Sequence, residues 1–201
     1  MMNKQLFIWL KINTSFFIAS FIICLLLSFL FPNTMLDFVR SWGAFSRSVG
    51  PIVLDPVSSE ALFVNIITKN ALMTSLYSVA SLLFLAPILA IMAGAFYSLG
   101  LMSAIDSGVL PIWHSPFLIA IEVSFILLAT STASWIGSEI FGVEANKNKI
   151  LDFWKKNWKR PIPEHKTNLK QVFIRNKKKL ISFMIIIIAL LLLGAWIEVF
   201  I

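Results

Sequence analysis

Apolar residues fall into long runs separated by short polar segments, and this pattern predicts membrane-spanning helices. The first run covers residues 14–31 and ends at Pro32. Two further runs cover residues 117–141 and 180–201. A helix needs about 20 mostly apolar residues to cross the hydrocarbon core of a bilayer. Each of these three segments is therefore predicted to cross the membrane once.

The longest apolar run, residues 71–102, decides how many spans the chain has. One straight helix over this run would be about 48 Å long, which exceeds the core thickness of about 30 Å. Either Pro87 kinks one tilted helix, which gives four spans, or the chain turns near Ala86–Pro87, which gives five. We favour about five spans. The first helix of the pair would then begin near Ala61 and would bury three polar side chains inside the protein: Asn65, Lys69 and Asn70.

Residues 35–49 carry a helical pattern that is too short to span a membrane. Their apolar positions recur at spacings of three and four, as in Leu36, Val39 and Trp42. This pattern predicts an amphipathic helix lying in the membrane interface. The fold predicted for residues 1–201 is a single all-α domain, a polytopic transmembrane helical bundle with interfacial amphipathic helices.

The composition agrees with a membrane protein and gives no sign of an enzyme. Hydrophobic residues make up 58% of the chain and charged residues 13%, whereas soluble domains are about 45–50% apolar. The single cysteine, Cys24, excludes an internal disulfide and a multi-cysteine metal site. Hydrolase, zinc-protease and nucleotide-binding motifs are absent from the sequence. We therefore predict no catalytic residue, metal site or cofactor.

A basic loop over residues 147–179 orients the predicted bundle. It holds 12 of the 17 Lys and Arg residues, and short loops rich in Lys and Arg stay on the cytoplasmic side. The loop is therefore predicted to be cytoplasmic and the C-terminus to be outside. Anionic lipid or a partner protein is expected to bind the loop, and nucleic acid is not. The candidate contact residues are Lys155, Lys156, Lys159, Arg160, Lys177, Lys178 and Lys179.

Two glutamates within apolar runs, Glu122 and Glu198, are the candidate functional residues. Carboxylates are rare inside the membrane and are costly there unless they are paired, hydrated or protonated. Both glutamates fall at the outer end in the predicted topology, so we predict that they share a polar site. Lys69 and Asn70 are candidate members, and Lys69 would supply a counter-ion. The alternative is that both glutamates are wet interfacial carboxylates that only support packing.

The helix that follows Glu122 is rich in small hydroxyl residues, which predicts a central position in the bundle because small side chains let helices approach closely. Several further segments stand in a recognisable order around it. The order is Asn65–Asn70, residues 96–100, Glu122, Trp135-Ile136-Gly137, the basic loop and the closing residues 193–201. Over about residues 63–201 this order resembles the stage II sporulation protein M family of integral membrane proteins.

The resemblance implies a multi-span protein that works inside larger complexes. Members act with peptidoglycan-remodelling proteins or are encoded with ATP-driven exporters, including those for circular bacteriocins. We therefore expect a non-enzymatic membrane subunit that binds partner membrane proteins, such as an ABC-type ATPase or permease. A homo-oligomer is also compatible with the sequence. The alternatives are a small transporter or channel that uses the two glutamates, and an intramembrane peptide-processing enzyme.

Overall fold

The described part of the chain is helical almost throughout, which confirms the all-α prediction. The structure is a computed structural model that describes residues 4–35, 37, 41, 58–107, 114–142 and 168–200. Most of the interfacial helix predicted over residues 35–49 lies outside the described residues. The same is true of Lys155, Lys156, Lys159 and Arg160 in the basic loop.

Five long helices form the described bundle. They are α1 (Lys4–Leu30), α2 (Ser59–Leu82), α3 (Ala86–Ser107), α4 (His114–Phe141) and α5 (Leu169–Phe200). Two of these helices, α2 and α5, have a side-chain cap at the N-terminus. The Ser58 hydroxyl accepts a hydrogen bond from the Ala61 N–H at 3.2 Å, and the Asn168 side chain accepts one from the Lys170 N–H at 3.0 Å. Such caps satisfy backbone donors that lack a partner within the helix.

Residues 83–85 separate α2 from α3, so the run over residues 71–102 folds as two helices. The Leu83 and Leu85 N–H groups donate to the Ala80 carbonyl, and the Phe84 N–H donates to the Ser81 carbonyl. Phe84 has a φ of 64°, and one residue with left-handed backbone geometry is a common way to end a helix. Pro87 then lies in the first turn of α3, where proline is tolerated because its missing N–H has no helical partner.

Contacts to α4 fix the direction of three other helices. The Trp9 indole N–H donates to Ser138 at 2.9 Å, and Asn13 donates to Ser131 at 2.9 Å, so α1 and α4 are antiparallel. The Trp135 and Phe183 rings meet at 6.4 Å, and Gly194 approaches Ile121. Helix α5 is therefore also antiparallel to α4. Helix α2 runs parallel to α4. Its end meets the second half of α4, where the Ser134 hydroxyl donates to the Ser81 carbonyl at 3.0 Å, and its start lies beside the end of α5, where the Phe63 and Phe200 rings are 5.9 Å apart.

Helix α3 runs parallel to α1 and makes its most extensive contact with it. Phe17 and Tyr97 have ring centroids 6.4 Å apart, and Trp9 stacks on Phe84 just before α3 begins. Helices α1, α3 and α5 thus run in one direction, and α2 and α4 run in the other. We call the end where α1 and α5 begin the basic end, and the end where α2 and α4 begin the glutamate end.

Three of the helices are long and apolar enough to cross a membrane: Lys4–Leu30, Pro116–Phe141 and Leu169–Phe200. Residues 86–102 form a shorter apolar helix. This agrees with a membrane protein, and the predicted count of about five spans stays a prediction. The outer helices begin earlier than the hydrophobic pattern indicates, at Lys4 rather than Thr14 and at Leu169 rather than Leu180.

Candidate intramembrane polar site

The two candidate glutamates lie at the same end of the bundle. Glu122 is in the third turn of α4, and Glu198 is in the last turn of α5. Because these helices are antiparallel, both residues are at the glutamate end. The two carboxylates are close enough for the charge of Glu198 to act on Glu122.

Gly194 of α5 lies beside Glu122 of α4. A Cβ atom at residue 194 would lie 3.5 Å from the Ile121 side chain and 3.9 Å from the Glu122 Cγ atom. Both distances are ordinary van der Waals contacts, so this face of α5 packs directly against the start of α4. Glu198 is one helical turn after Gly194 and shares its face of α5, which directs Glu198 toward the start of α4.

Lys69 and Tyr97 complete the polar group. Lys69 on α2 acts electrostatically on both Glu122 and Glu198. The Tyr97 hydroxyl on α3 is within hydrogen-bonding reach of the Glu122 carboxylate. The site therefore collects one ionisable side chain from each of four helices, α2 to α5. Asn70, the remaining predicted member, follows Lys69 on α2 and is partly buried.

The polar site is open on one side. Lys69 and Glu198 are exposed, whereas Glu122 and Tyr97 are partly buried. The prediction that Lys69 is buried is wrong, and the reason is that a long lysine side chain can keep its ammonium group at a protein surface. Asn65, predicted to be buried with it, is partly buried.

The chemistry available at the polar site follows from its charges. Two carboxylates face a single ammonium group, so full ionisation leaves one negative charge without a partner. Such a group can take up a proton or pair with a cation. Within the described ranges, no cluster of three His, Cys, Asp or Glu residues could hold a metal ion.

A second polar cluster, centred on Glu139, lies at the basic end and was missed by the sequence analysis. The Glu139 carboxylate accepts hydrogen bonds from the Trp135 indole N–H at 2.7 Å and the Asn176 amide at 2.8 Å. The Arg175 guanidinium binds the same carboxylate. The spacing of Trp135 and Glu139, four residues apart on one helix face, was the available sequence signal.

Most of the small hydroxyl side chains of α4 face the protein interior, whereas that of Ser124 is exposed. Ser131, Ser134 and Ser138 are buried and contact α1 or α2. This confirms that the helix rich in small hydroxyl residues is central. Lys177, Lys178 and Lys179, which were predicted as surface residues, are exposed. They lie on α5, so residues 169–179 of the predicted loop are helical.

Comparison with known proteins yields no relative. No family model matches the chain, and no curated protein or solved structure matches it at a significant level. The resemblance to the sporulation protein M family stays a prediction.

Proposed function

We propose that this protein is a non-enzymatic integral membrane subunit of a multi-protein assembly, related to export or to the cell envelope. It binds partner membrane proteins, and an ABC-type ATPase or permease is the partner class expected from the resemblance. The family assignment is part of the same proposal.

The observation that carries this proposal is the open side of the polar site. Lys69 and Glu198 are exposed next to large apolar side chains of their own helices, such as Leu72, Met73 and Trp196. Charged side chains that face lipid are costly, and they are normally found facing other helices or water. A partner helix packed against this side would remove both residues from lipid and would supply polar groups to them.

The proposed topology has five spans, with the basic end in the cytoplasm and the C-terminus outside. The alternating helix directions support it, because α2 and α3 then cross in opposite senses. The positive-inside rule supports it as well. Lys4 and Lys11 on α1 lie at the same end as Lys177 and its neighbours on α5, so the described basic residues outside the polar site agree on one orientation.

Cysteine accessibility tests this topology. In a Cys24→Ala background, we expect Glu60→Cys to react with an impermeant thiol reagent added to intact cells. Lys4→Cys should react only after the cells are opened. A four-span chain would give the reverse result, with Lys4→Cys labelled from outside and Glu60→Cys protected.

Co-purification tests the proposed function. We expect mild-detergent purification from the native host to recover a stoichiometric membrane partner, identified by mass spectrometry. Glu198→Gln should lower recovery of that partner about tenfold or more, because removing one member of a desolvated charge pair costs at least about 2 kcal/mol. The matched control is Glu60→Gln, which changes an exposed carboxylate in the first turn of α2 and should leave recovery unchanged.

Recovery of the chain alone from the native membrane would contradict the assembly proposal. It would favour the alternative of a small transporter or channel-like protein, which the closeness of Glu122, Glu198 and Tyr97 supports. In that case the purified protein in vesicles should pass protons or cations, and Glu122→Gln should abolish the flux. An intramembrane peptide-processing enzyme would instead show cleavage of a peptide without flux.

A further inference from the structure

The exposed charged side chains that the structure describes at the basic end are positive. Its exposed basic side chains come from two separate helices: Lys4, Lys11, Lys170, Arg175, Lys177, Lys178 and Lys179. Among the acidic side chains that the structure describes, Glu139 is the one at this end, and Arg175, Asn176 and Trp135 already bind it. The surface at this end therefore carries a positive charge that the described residues do not neutralise.

The length of α5 gives the depth of its lysines. The apolar part of α5, from Leu180 to Phe200, is about 31 Å long at 1.5 Å per residue, which matches a core thickness of about 30 Å. When this part fills the core, Lys177, Lys178 and Lys179 lie immediately beyond it, at the level of the lipid headgroups. This segment is helical from Leu169 onward, and Asn168 caps its first turn. The helix therefore fixes the depth of the three lysines relative to the apolar part of α5.

Three consecutive residues on a helix point in directions about 100° apart. Lys177, Lys178 and Lys179 therefore span about 200° of the circumference of α5. This is the side away from the buried Asn176 and Leu180, and all three lysines are exposed. Headgroups at the membrane surface can contact this whole exposed side of the helix, whereas a protein partner would contact only part of it. On α1, the Lys11 ammonium group lies 4.3 Å from the centre of the Phe7 ring, so its charge also stays next to apolar surface at the membrane boundary.

We infer that the basic end is a binding surface for the phosphate headgroups of anionic phospholipids, with Lys177, Lys178 and Lys179 as its main contacts. This inference goes beyond the proposed function, because it needs no partner protein. Each basic residue near an anionic surface strengthens binding by roughly fivefold, so the three lysines together contribute about a hundredfold.

Lipid titration of the purified full-length protein tests the inference. We would measure the affinity for phosphatidylglycerol and for phosphatidylcholine in detergent by native mass spectrometry. We expect a preference for phosphatidylglycerol that weakens as salt is raised. Replacing Lys177, Lys178 and Lys179 together with Gln should remove the preference for phosphatidylglycerol.

Two control variants keep the test specific. Replacing the same three residues with Arg preserves the charge and should preserve the preference. Glu60→Gln changes an exposed charge at the glutamate end, outside the polar site, and should have no effect. Equal affinity of the wild-type protein for both lipids would overturn the inference, and so would full retention of phosphatidylglycerol binding in the triple Gln variant.

Two further readouts keep the outcomes distinct. If the triple Gln variant does not fold, the salt dependence of the wild-type preference decides, and a preference that does not change with salt overturns the inference. If Glu198→Gln loses a partner and keeps its phosphatidylglycerol affinity, the lipid surface and the partner site are separate. A failure of the proposed function would leave the lipid result unchanged.

Discussion

Gly94→Ala is expected to destabilise the bundle by about 1–3 kcal/mol, the usual cost of overpacking a tight interface. A Cβ atom at residue 94 would overlap the Ser20 hydroxyl and the Phe17 carbonyl oxygen of α1. The carbonyl belongs to the backbone, so relief requires α1 and α3 to move apart. This pair forms the most extensive helix contact of the fold, and the shift would loosen the packing around it.

Gly100→Ala is the matched control in the same helix. Nothing lies within 4 Å of a Cβ atom built at residue 100, and Ala favours helix more than Gly by up to about 1 kcal/mol. This variant should be neutral or slightly stabilised. Unfolding of the purified proteins by denaturant in mixed micelles measures both changes. Equal stability of the two variants would show that α1 and α3 do not pack as described.

Glu139→Ala is expected to cost about 3 kcal/mol of stability, because its loss leaves buried donors without an acceptor. The Trp135 indole N–H loses the partner that it binds at 2.7 Å, and Trp135 is fully buried. The Asn176 amide loses one of its two acceptors and keeps the Val172 carbonyl. The same unfolding measurement detects the change.

Arg175→Gln is the control for the Glu139 cluster. The Arg175 side chain is 62% exposed, whereas the Glu139 side chain is 17% exposed. Ion pairs at exposed positions contribute about 0–1 kcal/mol, and the Trp135 and Asn176 donors keep their acceptor in this variant. A loss as large as that of Glu139→Ala would mean that the ion pair, and not the buried donors, stabilises this end.

The helical fold was largely predictable because it follows from long apolar runs. Length alone indicated that residues 71–102 cannot form one straight span, and Pro87 marked the neighbourhood of the observed turn. The small hydroxyl residues behind Glu122 indicated a central α4. These inferences depend on local composition, because the length of an apolar run determines whether a helix can cross the bilayer and small residues determine how closely helices pack.

The polar contacts were less predictable because they join residues far apart in the chain. Glu139 lies near the basic loop, where an acidic residue is common and does not indicate a polar site. Its partners Arg175 and Asn176 come from the start of another helix. The start of α5 was not predicted as helix, because its many lysines placed it in the predicted basic loop. Val172 and Asn176 are four residues apart and are buried on one face of the helix. This spacing indicates a helix, but the surrounding lysines favoured the prediction of a loop. Tyr97 likewise carries no sequence signal that connects it to Glu122.

The short connection between α2 and α3 bears on how the chain enters the membrane. Helix α2 carries Asn65, Lys69 and Asn70 and is not among the described helices that meet the length and hydropathy requirements for an independent span. The connection at residues 83–85 ties α2 to the apolar start of α3. In the five-span topology, α2 must therefore be inserted together with α3 as one helical hairpin. Within the hairpin, the Ser81 carbonyl at the tip accepts the Phe84 N–H. Its second donor, the Ser134 hydroxyl, comes from α4, so the tip of the hairpin gains its last contact only when the following helix has been made.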